Sequence, residues 1–213
     1  KTAGRKIAYI EGSGDAIPKS LEQIGYVVDI IPVQEISKER LQGYGALVIG
    51  IRAYNKLDDI RFKQDVLMDY VSDGGNMIVQ YNTNRGLKVD NIGPYPIKLS
   101  RDRVTVEEAP IEILEPNHPI LNYPNKITQQ DFDNWVQERG LYFANEWSDE
   151  YKAILSSNDP GEPARKGGLL VAQHGDGNFI YTGYSWFRQL PAGVPGAYRI
   201  FANMVSLNQN NKP

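Results

Sequence analysis

The sequence predicts an α/β protein with a mainly parallel central sheet, helices on both of its faces and an antiparallel hairpin near the C-terminus. Three observations carry this expectation. Short, continuously apolar runs alternate with helical spacing through the first third of the chain, as strands buried on both faces require. Glycine-rich turns punctuate those runs. Late in the chain, two further apolar runs flank His174-Gly175-Asp176-Gly177, which reads as a hairpin turn.

The elements follow in order. A strand over 5–11 stops at Gly12-Ser13-Gly14-Asp15, and Ile17, Leu21 and Ile24 then recur at helical spacing up to Gly25. A second, β-branched strand covers 26–31, and Ser37 is placed to cap a short helix with Glu39 and Arg40 exposed. The run 46–51 is the third strand. A helix over about 60–71 ends at Gly74-Gly75, and 77–81 is the fourth strand. The segment from 82 to about 150 is rich in Pro, Asn and Gly and reads as a long irregular insertion, with short strand candidates at 104–106 and 111–114. Strands at 153–155, 168–173 and 178–182 follow, and a last helix over about 197–207 puts Ile200, Met204 and Leu207 on one side. A single domain is expected over 1–208, with 209–213 as a frayed tail. The start at Lys1 instead of Met reads as a processed protein or an excised domain.

Composition removes several function classes. A chain of 213 residues buries roughly 70% of its unfolded surface, enough for one substantial core. With 23 basic and 26 acidic residues the net charge is −3, so the basic excess of a nucleic-acid binder is missing. Zero cysteine excludes thiol nucleophiles, disulfides and cysteine-ligated metal. No apolar run approaches the ~20 residues that span a bilayer, so no membrane insertion is expected. Of the 22 aromatic residues, fourteen lie in 121–201, including all three tryptophans, which suits either core packing or an aromatic-lined pocket or interface.

Candidate chemistry sits after the strands, where open parallel sheets bind ligands. Gly12-Ser13-Gly14 starts like a dinucleotide loop, but Ile17 stands where a third glycine belongs, so a turn and helix start is the plainer reading. The third strand leads into Arg52, Tyr54 and Asn55, and the fourth into Tyr81 and Asn82: bidentate donors, stacking faces and amides on adjacent strands. Such clusters suit either a polar ligand or the anchoring of the insertion. Arg101, the stretch 131–140 and the stretch 183–189 with Tyr184 and Arg188 are further candidates. Ser185 lacks the second glycine of a nucleophile elbow, because Phe187 stands there. Neither His118 nor His174 has a metal-ligating partner at i+4, so no metal and no cofactor are expected.

The stretches YGALVIGIRAYN, DYVSDGGNMIVQYNTN and PYPIKLSRDRVTVEEAP, continuing through NHPILNYPNKITQQDFDNWVQERGLYFANEW and the C-terminal SSNDPGEPARKGGLLVAQHGDGNFIYTGYSWFRQLPAG, carry a family resemblance. They resemble the C-terminal domain of large PIG-L/LmbE-type deacetylases of Bacteroidetes. That domain is similar to the class I glutamine amidotransferase-like fold, including its ThuA-like group. The resemblance implies a flavodoxin-like three-layer sandwich. It also implies a deacetylase domain as partner and a periplasmic or extracellular location.

Carried over residue by residue, the resemblance implies a lost active site. Where the amidotransferase nucleophilic cysteine would stand, this chain has Tyr81 or Asn82, and where the catalytic histidine would follow a late strand it has Tyr184-Ser185-Trp186. The deacetylase His-Pro-Asp-Asp motif is absent too, since His118-Pro119 continues as Ile120-Leu121. The expectation is therefore a non-catalytic accessory or ligand-binding domain of a larger N-deacetylase. A sugar or other small polar ligand would be held by Arg52, Tyr54, Asn55, Tyr81, Asn82, Tyr184 and Arg188. Two alternatives stay open: a hydrolase using Tyr81 or a carboxylate such as Asp131 or Glu146, and a purely structural docking domain.

Overall fold

A computed structural model describes residues 1–2 and 6–208. Among the described residues seven strands form the main sheet, in the order β2 (Val27–Ile30), β1 (Lys6–Ile10), β3 (Ala46–Ile49), β4 (Asn76–Gln80), β11 (Gly177–Thr182), β10 (Leu169–His174) and β8 (Tyr151–Ala153), parallel from β2 through β11 and antiparallel across β11-β10-β8. In chain order, β1 (Lys6–Ile10) leads to α1 (Ile17–Gln23) and then to the edge strand β2 (Val27–Ile30). Next come α2 (Lys38–Leu41), β3 (Ala46–Ile49), α3 (Ala53–Lys56), a 3-10 turn over Asp58–Phe62, α4 (Gln64–Ser72) and β4 (Asn76–Gln80). Ser37 caps α2 by accepting the Arg40 amide on its Oγ at 3.1 Å.

The unbroken apolar runs have a direct physical cause. Successive side chains of β1 point to opposite faces, and both faces are covered. Ile7 and Tyr9 join the core on one face with α1, while Ala8 and Ile10 join the core on the other with Leu67 and Val71 of α4. The result is the expected three-layer α/β sandwich. At the sheet margin β2 pairs only with β1 among the described residues, and Val27 and Ile30 remain exposed there.

The middle of the chain carries more regular structure than its composition suggested. Two antiparallel pairs stand beside the main sheet. β5 (Ile97–Val104) pairs with β7 (Gly140–Trp147), and β6 (Ile111–Ile113) pairs with β9 (Leu155–Ser157). The expected strand at 104–106 is thus the end of a longer one whose register shifts at Leu99 and Asp102, and such bulges erase the two-residue alternation on which detection depends. The expected strand at 153–155 splits around buried Ile154 into β8 (Tyr151–Ala153), in the main sheet, and β9, in a small one.

The C-terminal hairpin joins β10 (Leu169–His174) to β11 (Gly177–Thr182), with His174 opposite Gly177 as the turn pattern indicated. Gly175 has φ +56°, and a Cβ there would lie 2.4 Å from the Ser72 carbonyl oxygen. α5 (Trp186–Gln189) and α6 (Pro195–Val205) complete the chain. Ile200, Met204 and Leu207 all enter the core as predicted. Asn203 is fully buried in α6 because its amide ties in the preceding segment: it accepts the Asn125 amide at 3.0 Å and donates to the carbonyls of Ile120 and Asn125 at 2.9 and 2.7 Å. The expected tail at 209–213 and Arg5 of the first predicted strand lie outside the described residues.

Candidate functional site

Parallel β1, β3, β4 and β11 end on one edge, which gathers the loops after each of them. The chain reverses direction of sheet growth between β1 and β3, the usual place for a ligand crevice. Here that crevice is filled by backbone. A Cβ on Gly12 would lie 2.2 Å from the Ile51 carbonyl oxygen and 2.6 Å from the Ala53 nitrogen, and the Ser13 amide donates to the Ile51 carbonyl at 2.9 Å. Behind this contact the Tyr9 hydroxyl donates to Asp15 at 2.7 Å and accepts from Gln80 Nε2 at 2.9 Å. Asp15 also accepts the Ile17 amide at 2.9 Å, so it orders the start of α1.

Four of the seven predicted binding residues are occupied by internal contacts. Tyr54 is fully buried, donates its hydroxyl to Gln64 Oε1 at 2.8 Å and its amide to Asn82 Oδ1 at 2.9 Å. Asn82, also fully buried, donates to the Gln80 carbonyl at 3.0 Å. The Asn55 amide accepts from the Thr83 nitrogen at 2.8 Å and donates to the carbonyls of Thr83 and Arg85. These three residues lock the loop after β3 to the loop after β4. Tyr184 is buried among Trp135, Phe143 and Trp186, and burial raises its hydroxyl pKa well above the ordinary value although Arg139 acts the other way.

The other three, Arg52, Tyr81 and Arg188, come together. Tyr81 follows β4 and is half-buried. Its ring lies parallel to Tyr142 at a centroid distance of 6.0 Å and tilted against Phe187 at 5.3 Å. Burial raises the Tyr81 pKa, and Arg52 and Arg188 pull against that shift, which places both guanidinium groups in its electrostatic reach. The Arg52 amide donates to the Tyr81 carbonyl at 2.9 Å. Arg188 donates its Nε to Glu138 Oε1 at 2.7 Å and another nitrogen to Gln137 Oε1, and it sits 4.9 Å from the Phe187 ring centroid.

Backbone conformation marks the same place. Among the described residues, the non-glycine residues with positive φ are Arg52 at 58°, Asn134 at 59°, Gln137 at 69° and Tyr142 at 50°. Three of these four contribute to the cluster. Each left-handed non-glycine residue costs about 1–2 kcal/mol, and such strain concentrates at functional sites. Tyr142 had no local signal in the sequence, because neither its stacking on Tyr81 nor its φ is a property of its neighbours in the chain. Phe187, Gln137 and Glu138 lay inside stretches already of interest.

The arrangement offers stacking faces and cationic donors, and among the described residues no base activates the Tyr81 hydroxyl. A phenol whose pKa is raised stays protonated at neutral pH, and among the described residues no carboxylate or histidine hydrogen-bonds the Tyr81 hydroxyl as a base. Asp131 accepts Arg199 Nε at 2.6 Å and the Thr128 amide at 2.8 Å, Glu146 pairs with Lys98 at 2.7 Å, and Ser185 Oγ donates to the Glu138 carbonyl at 3.0 Å. His118 accepts the Ile120 amide on Nδ1 at 3.2 Å, and His174 ends β10 at the hairpin turn, edge-on to Tyr95. Among the described residues no three His, Asp or Glu side chains gather to hold a metal ion, and no helix is long and apolar enough to cross a membrane.

The sequence matches no protein-family model and no curated protein. Solved structures do match. A protein described as a GMP synthase subunit, from Thermoplasma acidophilum, aligns with a TM-score of 0.60 at 12% identity, covering 99% of this chain and 96% of its own. A ThuA-like protein from Parabacteroides merdae aligns at 0.54 and 8% identity, over 99% and 92%. The β-galactosidase of Rahnella sp. R3 aligns at 0.58 and 13% identity, over 98% of this chain and 32% of the enzyme. The fold is thus class I glutamine amidotransferase-like.

Proposed function

We propose that this chain is a non-catalytic, ligand-binding accessory domain that serves a larger hydrolase, an N-deacetylase of the LmbE/PIG-L type, and that a sugar or similar polar molecule docks on Tyr81. The observation that carries the reading is the Tyr81 ring itself. It stands after β4, where the amidotransferase resemblance puts the nucleophile, and it is flanked by Tyr142, Phe187 and the cations Arg52 and Arg188. An aromatic face with guanidinium donors at its rim binds a ring and its hydroxyls without chemistry. The β-galactosidase likeness supports an accessory role, because there the same fold makes up about a third of a longer enzyme.

Calorimetry with a panel of neutral, amino and acidic monosaccharides tests the reading. Tyr81→Phe keeps the stacking face and is expected to keep binding, whereas Tyr81→Ala is expected to weaken it at least about tenfold. If no sugar binds, the ligand reading fails and docking is the role left. If the chain cleaves an N-acyl sugar and Tyr81→Phe abolishes the cleavage, the domain is a hydrolase and the non-catalytic reading is wrong.

A further inference from the structure

We infer that the ligand of this site is an anionic sugar, with its ring on Tyr81 and Tyr142 and its acidic group held by Arg101 and Arg103. The inference rests on the sugar-binding reading above and deepens it. Tyr142 is the shared wall: one side of its environment is the Tyr81 ring, and it also lines a cavity of about 410 Å³ together with Arg101, Arg103 and Leu141. Arg101 and Arg103 are exposed residues of β5, and neither guanidinium makes an ion pair or hydrogen bond with any described residue. The intervening Asp102 is engaged elsewhere, with Arg165 at 3.1 Å.

The charge distribution around the aromatic pair is one-sided. Arg52 likewise has no ion pair among the described residues, and its buried Nε has no hydrogen-bond partner. The nearby carboxylate, Glu138, is consumed by Arg188. Asp159 feels the charge of Arg103 but is itself held by the Thr105 and Val106 amides. Three guanidinium groups with no salt-bridge partner among the described residues therefore lie around Tyr81 and Tyr142, in a chain whose net charge is −3. Guanidinium matches carboxylate and phosphate oxygens in bidentate fashion, and such charge-assisted bonds are the stronger ones. A neutral sugar can accept hydrogen bonds from these donors but brings no opposite charge to them.

The test is calorimetry of the intact chain with glucose, glucuronate, glucose 6-phosphate and inorganic phosphate, repeated for Arg101→Gln/Arg103→Gln. At least one acidic sugar is expected to bind about tenfold or more tighter than glucose, to lose that advantage in the double variant, and to weaken with added salt. A thermal unfolding midpoint of the double variant equal to the parent's shows that it is folded. Preference between the two acidic sugars tells carboxylate from phosphate. If glucose and both acids bind alike, the anionic assignment is overturned while the sugar-binding reading stands. If inorganic phosphate binds as tightly as glucose 6-phosphate, the ring plays no part and the inference is wrong. If none of these binds, the anionic assignment is overturned, and the wider monosaccharide panel above decides the sugar-binding reading separately.

Discussion

The Arg52 amide donates to the Tyr81 carbonyl at 2.9 Å while the Arg52 backbone is held at φ 58°, ψ 18°. The loop after β3 therefore turns through a left-handed residue to reach the end of β4. In doing so it brings the Arg52 guanidinium close enough to act on the Tyr81 hydroxyl.

That geometry separates strain from function. A glycine accepts the left-handed conformation freely and an alanine does not, so Arg52→Gly is expected to be more stable than Arg52→Ala by about 1 kcal/mol. Both should lose ligand affinity alike, since both lack the guanidinium. Urea unfolding of the two variants measures the difference. Equal stabilities would show that the backbone at this position relaxes.

Closure of the crevice between β1 and β3 makes Gly12 sterically demanding. Gly12→Ala puts a methyl group into the Ile51 carbonyl, 2.2 Å away, and backbone on both sides must shift. A loss of about 1–3 kcal/mol is expected from this overpacking. A thermal unfolding midpoint equal to the parent's would mean that the loops separate easily and that the crevice can open.

The buried Tyr9 hydroxyl joins three elements by accepting from Gln80 and donating to Asp15. Tyr9→Phe removes both bonds and leaves the Gln80 amide without its acceptor in the core. Destabilisation of about 1–3 kcal/mol is expected in denaturant titration, because a buried donor is left unsatisfied. Burial and the Asp15 carboxylate hold the Tyr9 pKa well above its ordinary value, so ultraviolet titration should show this phenol ionising only as the protein unfolds in alkali.

A signed pH dependence comes from His118. Burial, aided by Lys152, lowers its pKa from the ordinary 6.5, and its Nδ1 accepts the Ile120 amide, which requires that nitrogen to be unprotonated. The unfolded chain therefore takes up a proton before the folded one does. Stability from this group is fully present above 6.5 and is lost as pH falls from there through the lowered folded value. His118→Asn keeps an acceptor at the same position and should flatten that part of the stability–pH curve, as followed by urea unfolding at several pH values. An unchanged slope in the variant would place the dependence elsewhere.

Much of the sheet was legible because its strands are buried on both faces. Runs such as Ala46–Ile49 and the Met77–Val79 centre of β4 are wholly buried and apolar, so apolar continuity marks them. β5 and β7 were harder: β5 mixes Lys98, Arg101 and Arg103 with buried Leu99 and Val104, and its bulges break the alternation. The predicted site divided in the same way. Residue type and position after a strand brought Arg52, Tyr81 and Arg188 to notice, but Tyr54, Asn55 and Asn82 carry the same signals and are spent on joining two loops.

Residue order alone specifies the layers, the parallel core, the hairpin and the exclusion of thiol chemistry, because burial on two faces and the absence of cysteine are properties of the residues taken one after another. Which polar side chains beyond the strand ends turn inward, and which meet solvent, emerges only when distant segments pack together. Past the last strand residue no period constrains direction, so the choice falls to hydrogen bonds and ring contacts between those segments. Tyr142 reaches Tyr81 in this way, across 61 positions of sequence, through a backbone conformation that no local pattern encodes.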